Sequence, residues 1–201
     1  MSESTDNEPI TMKTLLTAEQ LEQGVDQLAE KVRADYADRP LTVVGVLTGS
    51  VVLLADLIRR LDMPLRVGLI QARSYRGAAT RPGELTVNAD LLPDVKDRDV
   101  LLLDDIFDTG RTLERLVHDV RELGASSVKS AVLLQKEGRA EVELRPDYVA
   151  FDIPDEFVVG YGLDYQDAYR NLPFVAALSE AEISSAQAST STADEPGKEA
   201  S

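Results

Sequence analysis

Apolar positions along the chain change period several times, and each change marks an element. Leu21, Val25, Leu28, Ala29 and Val32 recur at helical spacing, and Thr17-Ala-Glu-Gln20 just before them is a capping-box pattern. An amphipathic helix is therefore predicted from about Thr17. Leu41 to Leu47, Leu65 to Ala72, Val100 to Leu103 and Val128 to Leu134 are nearly unbroken apolar runs, the pattern of strands covered on both faces. Helical spacing returns over Val51 to Leu61, after a Gly49-Ser50 turn, and over Arg111 to Leu123, while Leu85 to Ala89 adds a strand. Strand and helix in alternation predict an α/β domain with a mainly parallel twisted sheet flanked by helices. Ser74 to Glu84, broken by Gly77, Pro82 and Gly83, reads as a long mobile loop. Tyr148 to Val175 is cut by Pro154, Gly160 and Gly162 into short strand-like pieces, which fits a small lobe over the sheet edge.

Composition narrows this further. The 201 residues suffice for one domain with a real core. Residues 1–12 and 179–201 are poor in apolar side chains and are expected to be disordered acidic tails around a domain at 13–178. Cysteine is absent and His118 is the single histidine, so thiolate metal sites and an ordinary Ser-His relay are excluded, and any metal must be held by oxygen. No apolar stretch reaches the roughly 18 residues needed to span a bilayer, and the acidic first residues are unlike a signal peptide; the chain is expected to be cytoplasmic, with no membrane partner. Net charge is −15, of which residues 1–12 carry −3 and 180–201 carry −4, leaving −8 on the body. An acidic body argues against binding a nucleic-acid backbone. An anionic substrate would need a divalent cation or specific arginines and lysines.

The candidate chemistry concentrates at residues 100–112. The apolar run ends in Asp104 and Asp105, continues through Ile106-Phe107-Asp108, and closes in Thr109-Gly110-Arg111-Thr112, where a helix begins. Backbone N–H groups at a helix start are unpaired and carry the positive end of the helix dipole, so this turn is a ready anion site. Alone, Asp108 or Thr109 would read as a helix cap and the acid pair as solvated charge. Together, three carboxylates beside an anion-binding turn repel each other and the anion unless a cation or a hydroxyl-rich ligand joins them.

Four segments then fall in one order: Gly45-Val-Leu-Thr-Gly-Ser50, Ser74-Tyr75, Asp104 to Thr112, and Ile153-Pro-Asp-Glu-Phe-Val-Val-Gly-Tyr-Gly-Leu-Asp-Tyr165 with Tyr169-Arg170-Asn-Leu-Pro173. Over roughly Leu15 to Leu178 the chain resembles the type I phosphoribosyltransferases, and within them the hypoxanthine-guanine phosphoribosyltransferases. The resemblance implies the type I fold with a small hood lobe, formed by roughly 13–20 and 150–178. It also implies magnesium-dependent transfer of the phosphoribosyl group from 5-phosphoribosyl 1-pyrophosphate to hypoxanthine or guanine in purine salvage. By the same resemblance Asp108 is the catalytic base, and Asp104, Asp105, Asp108, Thr109, Gly110, Arg111 and Thr112 hold the ribose and its 5-phosphate. Leu47, Thr48, Gly49 and Arg170 take the pyrophosphate, in a loop that often has a non-proline cis peptide and, in the family, a lysine where this chain has Thr48. Lys136, Phe157, Val158 and Asp164 bind the purine; Asp104, Asp105 and Asp164 bind Mg²⁺; Ser74 and Tyr75 open the flexible loop. Relatives are commonly homodimers or homotetramers.

Two other functions remain open at this point. One is a phosphoribosyltransferase-fold regulator that binds RNA of pyrimidine genes; such relatives usually place tyrosine where this chain has Asp108, and they need a basic face. The other is a transferase that prefers xanthine.

Overall fold

The computed structural model describes residues 12–37, 39–74, 85–179 and 183. Both expected tails lie almost wholly outside these residues, as does most of the expected loop, Tyr75 included. Helix α1 (Ala18–Tyr36) starts at Thr17 with both halves of the capping box formed. It is followed by β2 (Leu41–Leu47), α2 (Val51–Ile58), β3 (Leu65–Ser74), β4 (Leu85–Asn88), β5 (Asp99–Phe107), α3 (Arg111–Glu122), β6 (Ser127–Lys136) and β7 (Tyr148–Ile153). These strands form a six-stranded sheet in the order β4-β3-β2-β5-β6-β7. All neighbours are parallel except β4, which runs antiparallel to β3. A separate three-stranded antiparallel sheet, β1-β9-β8, joins β1 (Lys13–Leu16), β9 (Val175–Leu178) and β8 (Phe157–Val159).

Both faces of the main sheet are covered, which is why its strands lack polar alternation. Leu41 and Val43 of β2 and Leu101 and Leu103 of β5 pack with α1 and α2 on one face. Val44, Val46, Val100 and Leu102 pack with Leu113, Leu116, Val117 and Val120 of α3 on the other.

Three elements depart from the sequence expectation. The strand β5 does not stop at Leu103: pairing with β6 continues through Ile106↔Leu134 and Phe107↔Gln135, so the acid pair lies inside a strand. Residues 150–153, expected in the hood, belong to the main sheet as β7, where β6 offers a long parallel edge, and the hood portion begins after Ile153. Residues 13–16 of the hood are a strand, too short for periodicity to reveal.

After β2 the chain moves to β3 on one side, and it later returns to place β5 on the other. Loops leaving the carboxyl ends of β2 and β5 therefore diverge and open a crevice between them, the position where open α/β sheets bind ligands.

Candidate active site

The crevice holds a cavity of about 330 Å³ lined by Leu47, Thr48 and Gly49 from the β2 loop, Asp104 to Gly110 and Thr112 from the end of β5 and its turn, and Asp164 and Arg170 from the hood. Gly110 is the N-cap of α3 in the left-handed region, at φ 82°, and no side chain caps the helix. Among the described residues no side chain accepts from the first N–H groups of α3, and the capping alternative for Asp108 and Thr109 does not hold. An added Cβ at Gly110 would lie 2.6 Å from both the Phe107 ring and Val142, so the turn is pressed onto the core. Across the crevice the Leu47–Thr48 peptide is cis.

Asp104 is buried, at 8% exposure, and Asp105 half-buried. Burial pushes the Asp104 carboxyl well above its ordinary value, and the neighbouring Asp105 charge pushes it further. Burial also raises Asp105, against hydrogen bonding that includes the Ile106 N–H, 2.8 Å from its Oδ1. A Cβ built on Gly49 would fall 1.5 Å from Asp105 Oδ2, so the acid pair lies directly against the β2 loop. The guanidinium of Arg170 donates to the Gly162 carbonyl at 2.7 Å and pairs with Asp164 Oδ1 at 2.7 Å. Among the described residues no three His, Cys, Asp or Glu side chains converge on one point. The oxygen-only donor set suits a hard cation that takes part of its coordination from ligand and water.

A second cavity, about 240 Å³, is lined by Asp105, Ile106, Asp108, Lys136, Phe157, Val158, Leu163 and Asp164. Four of these, Asp105, Ile106, Asp108 and Asp164, also line the first cavity. The Lys136 side chain is only 12% exposed, with its Nζ 3.3 Å from Asp155 Oδ1 and 3.7 Å from Asp108 Oδ2. Phe157 is 42% exposed and meets Tyr165 edge-on, ring centroids 5.4 Å apart. β8 is an edge strand of its sheet, so half of its backbone groups face away from the ladder and can meet a planar ligand's polar edge.

All the sequence-predicted site residues with described side chains meet at these two cavities except Arg111. Its side chain is 74% exposed and pairs with Glu141 at 2.6 Å, directed outward because helix position N1 lies on the solvent side of the turn. Ser74 ends β3, paired with Leu85 of β4. Sequence reasoning did not find Ile106 and Phe107 as lining residues, since their apolar type signals only core. It also missed Arg139, which donates to Asp108 Oδ1 at 2.9 Å.

A model of the phosphoribosyl transferase domain matches residues 11–166. The chain belongs to the phosphoribosyl transferase domain family. Within this family it is 40% identical over 164 residues to the hypoxanthine-guanine phosphoribosyltransferase of Staphylococcus epidermidis, covering 82% of this chain and 92% of that protein. The enzyme of the same name from Streptococcus pneumoniae is 40% identical over 169 residues, 84% of this chain and 93% of the relative. A crystal structure of a hypoxanthine-guanine phosphoribosyltransferase from Bacillus anthracis superposes with a TM-score of 0.77 at 36% identity, over 85% of this chain and 99% of that one. The chain is thus a phosphoribosyltransferase-family enzyme with the fold of these transferases.

Proposed function

We propose that this enzyme transfers the 5-phosphoribosyl group of 5-phosphoribosyl 1-pyrophosphate to hypoxanthine or guanine, releasing pyrophosphate; its relatives are named for phosphoribosyl transfer to these two bases. One observation supports the reading: a cavity at the start of α3 and a smaller cavity with lysine and phenyl walls share Asp105 and Asp108 at their junction. A sugar phosphate and a planar base placed in the two would meet there.

Displacement at the anomeric carbon builds positive charge on the ribose and negative charge on the departing pyrophosphate. Asp104 and Asp105 stabilise the ribose side and hold its hydroxyls. The uncapped start of α3, with the Thr109 and Thr112 hydroxyls, holds the 5-phosphate. Thr48, Gly49 and Arg170 orient the pyrophosphate by backbone N–H groups and one guanidinium. Asp108 Oδ2 accepts the proton leaving the purine ring nitrogen. Lys136 donates to the 6-oxo group, Phe157 stacks on the ring, and the backbone at Val158 meets the pyrimidine edge. Mg²⁺, with Asp104 and Asp105 holding one ion beside the ribose hydroxyls and Asp164 a second, would supply the counter-charge that a crevice with one arginine lacks.

Replacing Asp108 by Asn keeps the shape and removes the base. Turnover with hypoxanthine, followed by pyrophosphate release, is expected to fall by on the order of 100-fold. Wild-type turnover in that variant would remove Asp108 from the mechanism.

A further inference from the structure

Behind the base cavity, four side chains form a closed ring of alternating charge. Arg139 Nε lies 2.9 Å from Asp108 Oδ1 and 3.6 Å from Asp155 Oδ1. Lys136 Nζ completes the ring, 3.3 Å from Asp155 Oδ1 and 3.7 Å from Asp108 Oδ2. Asp108 and Lys136 line the cavity, while Arg139 and Asp155 do not.

Backbone hydrogen bonds pin the turn that carries Arg139 at both ends. The Glu137 N–H donates to the Ile153 carbonyl at 3.0 Å, and the Glu141 N–H donates to the Thr109 carbonyl at 2.9 Å. The second bond ties this turn to the residue next to Asp108. Glu141 also pairs with Arg111, the first residue of α3. Arg139 and Asp108 therefore sit on turns that cannot move far apart.

The Asp108 side chain is 39% exposed, and an aspartate at such a site would otherwise sample several rotamers. Arg139 occupies Oδ1. Oδ2 is left facing Lys136 at a distance too long for a hydrogen bond, free to accept from a ligand. We propose that Arg139 is the positioning residue for Asp108, turning Oδ2 toward the base cavity, with Asp155 holding Arg139 and Lys136 in place against their mutual repulsion. The proposal rests on the reading of Asp108 as proton acceptor.

The test compares Arg139→Gln and Arg139→Lys in the full-length protein, assayed for kcat and both KM values with hypoxanthine and magnesium 5-phosphoribosyl 1-pyrophosphate. Among the described residues, the other charged side chains around Asp108 are Lys136 and Asp155 in the ring and Asp104, Asp105, Asp164 and Arg170 lining the same cavities. All are untouched, so a difference between variants isolates Arg139. In Arg139→Gln, kcat is expected to fall about 10-fold while KM for the phosphoribosyl donor stays within about 2-fold. Arg139→Lys, which keeps the charge but not the planar fork, is expected to restore only part of kcat. Arg139 is 43% exposed, so the melting temperature is expected to stay within a few degrees of wild type, excluding misfolding.

Wild-type kcat in Arg139→Gln would overturn the proposal, as would a loss confined to KM for the phosphoribosyl donor. The two failures are distinguishable: if Asp108→Asn is inactive while Arg139→Gln behaves as wild type, only the positioning role falls. If Asp108→Asn retains turnover, both readings fall.

Discussion

Asp104 and Asp105 set the behaviour of the site at the residue scale. A carboxyl whose pKa is higher in the folded chain than in the unfolded one binds a proton on folding. Its contribution is full below the unfolded value, about 4, and is lost as pH rises through the folded value. Burial raises Asp104 in this direction, so the ionised pair destabilises the ligand-free protein near neutrality. Asp104→Asn keeps the oxygen that accepts from the Asp105 N–H at 3.0 Å and removes the charge. In thermal melts without substrate or metal, the variant is expected to be more stable than wild type at pH 7.5 by on the order of 1 kcal/mol, with a smaller gain at pH 5. Its kcat/KM should nevertheless fall. A variant less stable than wild type at pH 7.5 would show that the carboxylate is not under this strain. At this scale the sequence was most readable where several polar residues cluster, as at 104–112. It was silent on Arg139, because a single arginine in a polar turn carries no signal until folding brings it to Asp108.

Elements explain how the hood completes the crevice. Gly162 has φ 101°, and a Cβ there would lie 2.1 Å from the Gly49 carbonyl oxygen. Backbone meets backbone at this point, so no side chain can move aside. Its N–H donates to the Arg170 carbonyl at 3.0 Å, and its carbonyl accepts from the Arg170 guanidinium. Gly162→Ala is therefore expected to push the hood from the β2 loop and displace Arg170, raising KM for the phosphoribosyl donor by about 10-fold or more while KM for hypoxanthine changes less. Equal changes in both would place the contact outside pyrophosphate binding. The buried elements were legible because covered strands and amphipathic helices repeat a pattern over many residues. The end of β5 was not: Asp104 and Asp105 interrupt the apolar run, although the backbone ladder continues to Phe107. Four-residue β1 and the place of β7 in the main sheet depend on pairings that local sequence does not encode.

For the whole molecule, charge and core tell different stories. The −8 that remains on the body after the tails are set aside surrounds a crevice in which Asp104, Asp105, Asp108 and Asp164 outnumber Arg170. A polyanionic substrate enters such a field only with its counter-cations, so activity should fall steeply when magnesium is chelated. Residues 184–201 follow Ile183, whose carbonyl accepts from the Tyr165 hydroxyl at 3.0 Å. Deleting 184–201 leaves that contact in place, and kcat/KM should stay within about 2-fold of wild type; a large loss would give the acidic segment a role in the reaction.

The proposed transfer depends on one cavity taking a sugar phosphate and its neighbour a 6-oxopurine. It is tested most directly by assaying the full-length enzyme with 5-phosphoribosyl 1-pyrophosphate and hypoxanthine, guanine, xanthine or adenine in parallel, with and without magnesium. In the proposed role of Lys136 as donor to the 6-oxo group, adenine would present it with an amino donor, so nucleotide is expected from hypoxanthine and guanine with magnesium, and none from adenine. Efficient transfer to adenine, or to none of the four bases, would contradict the account.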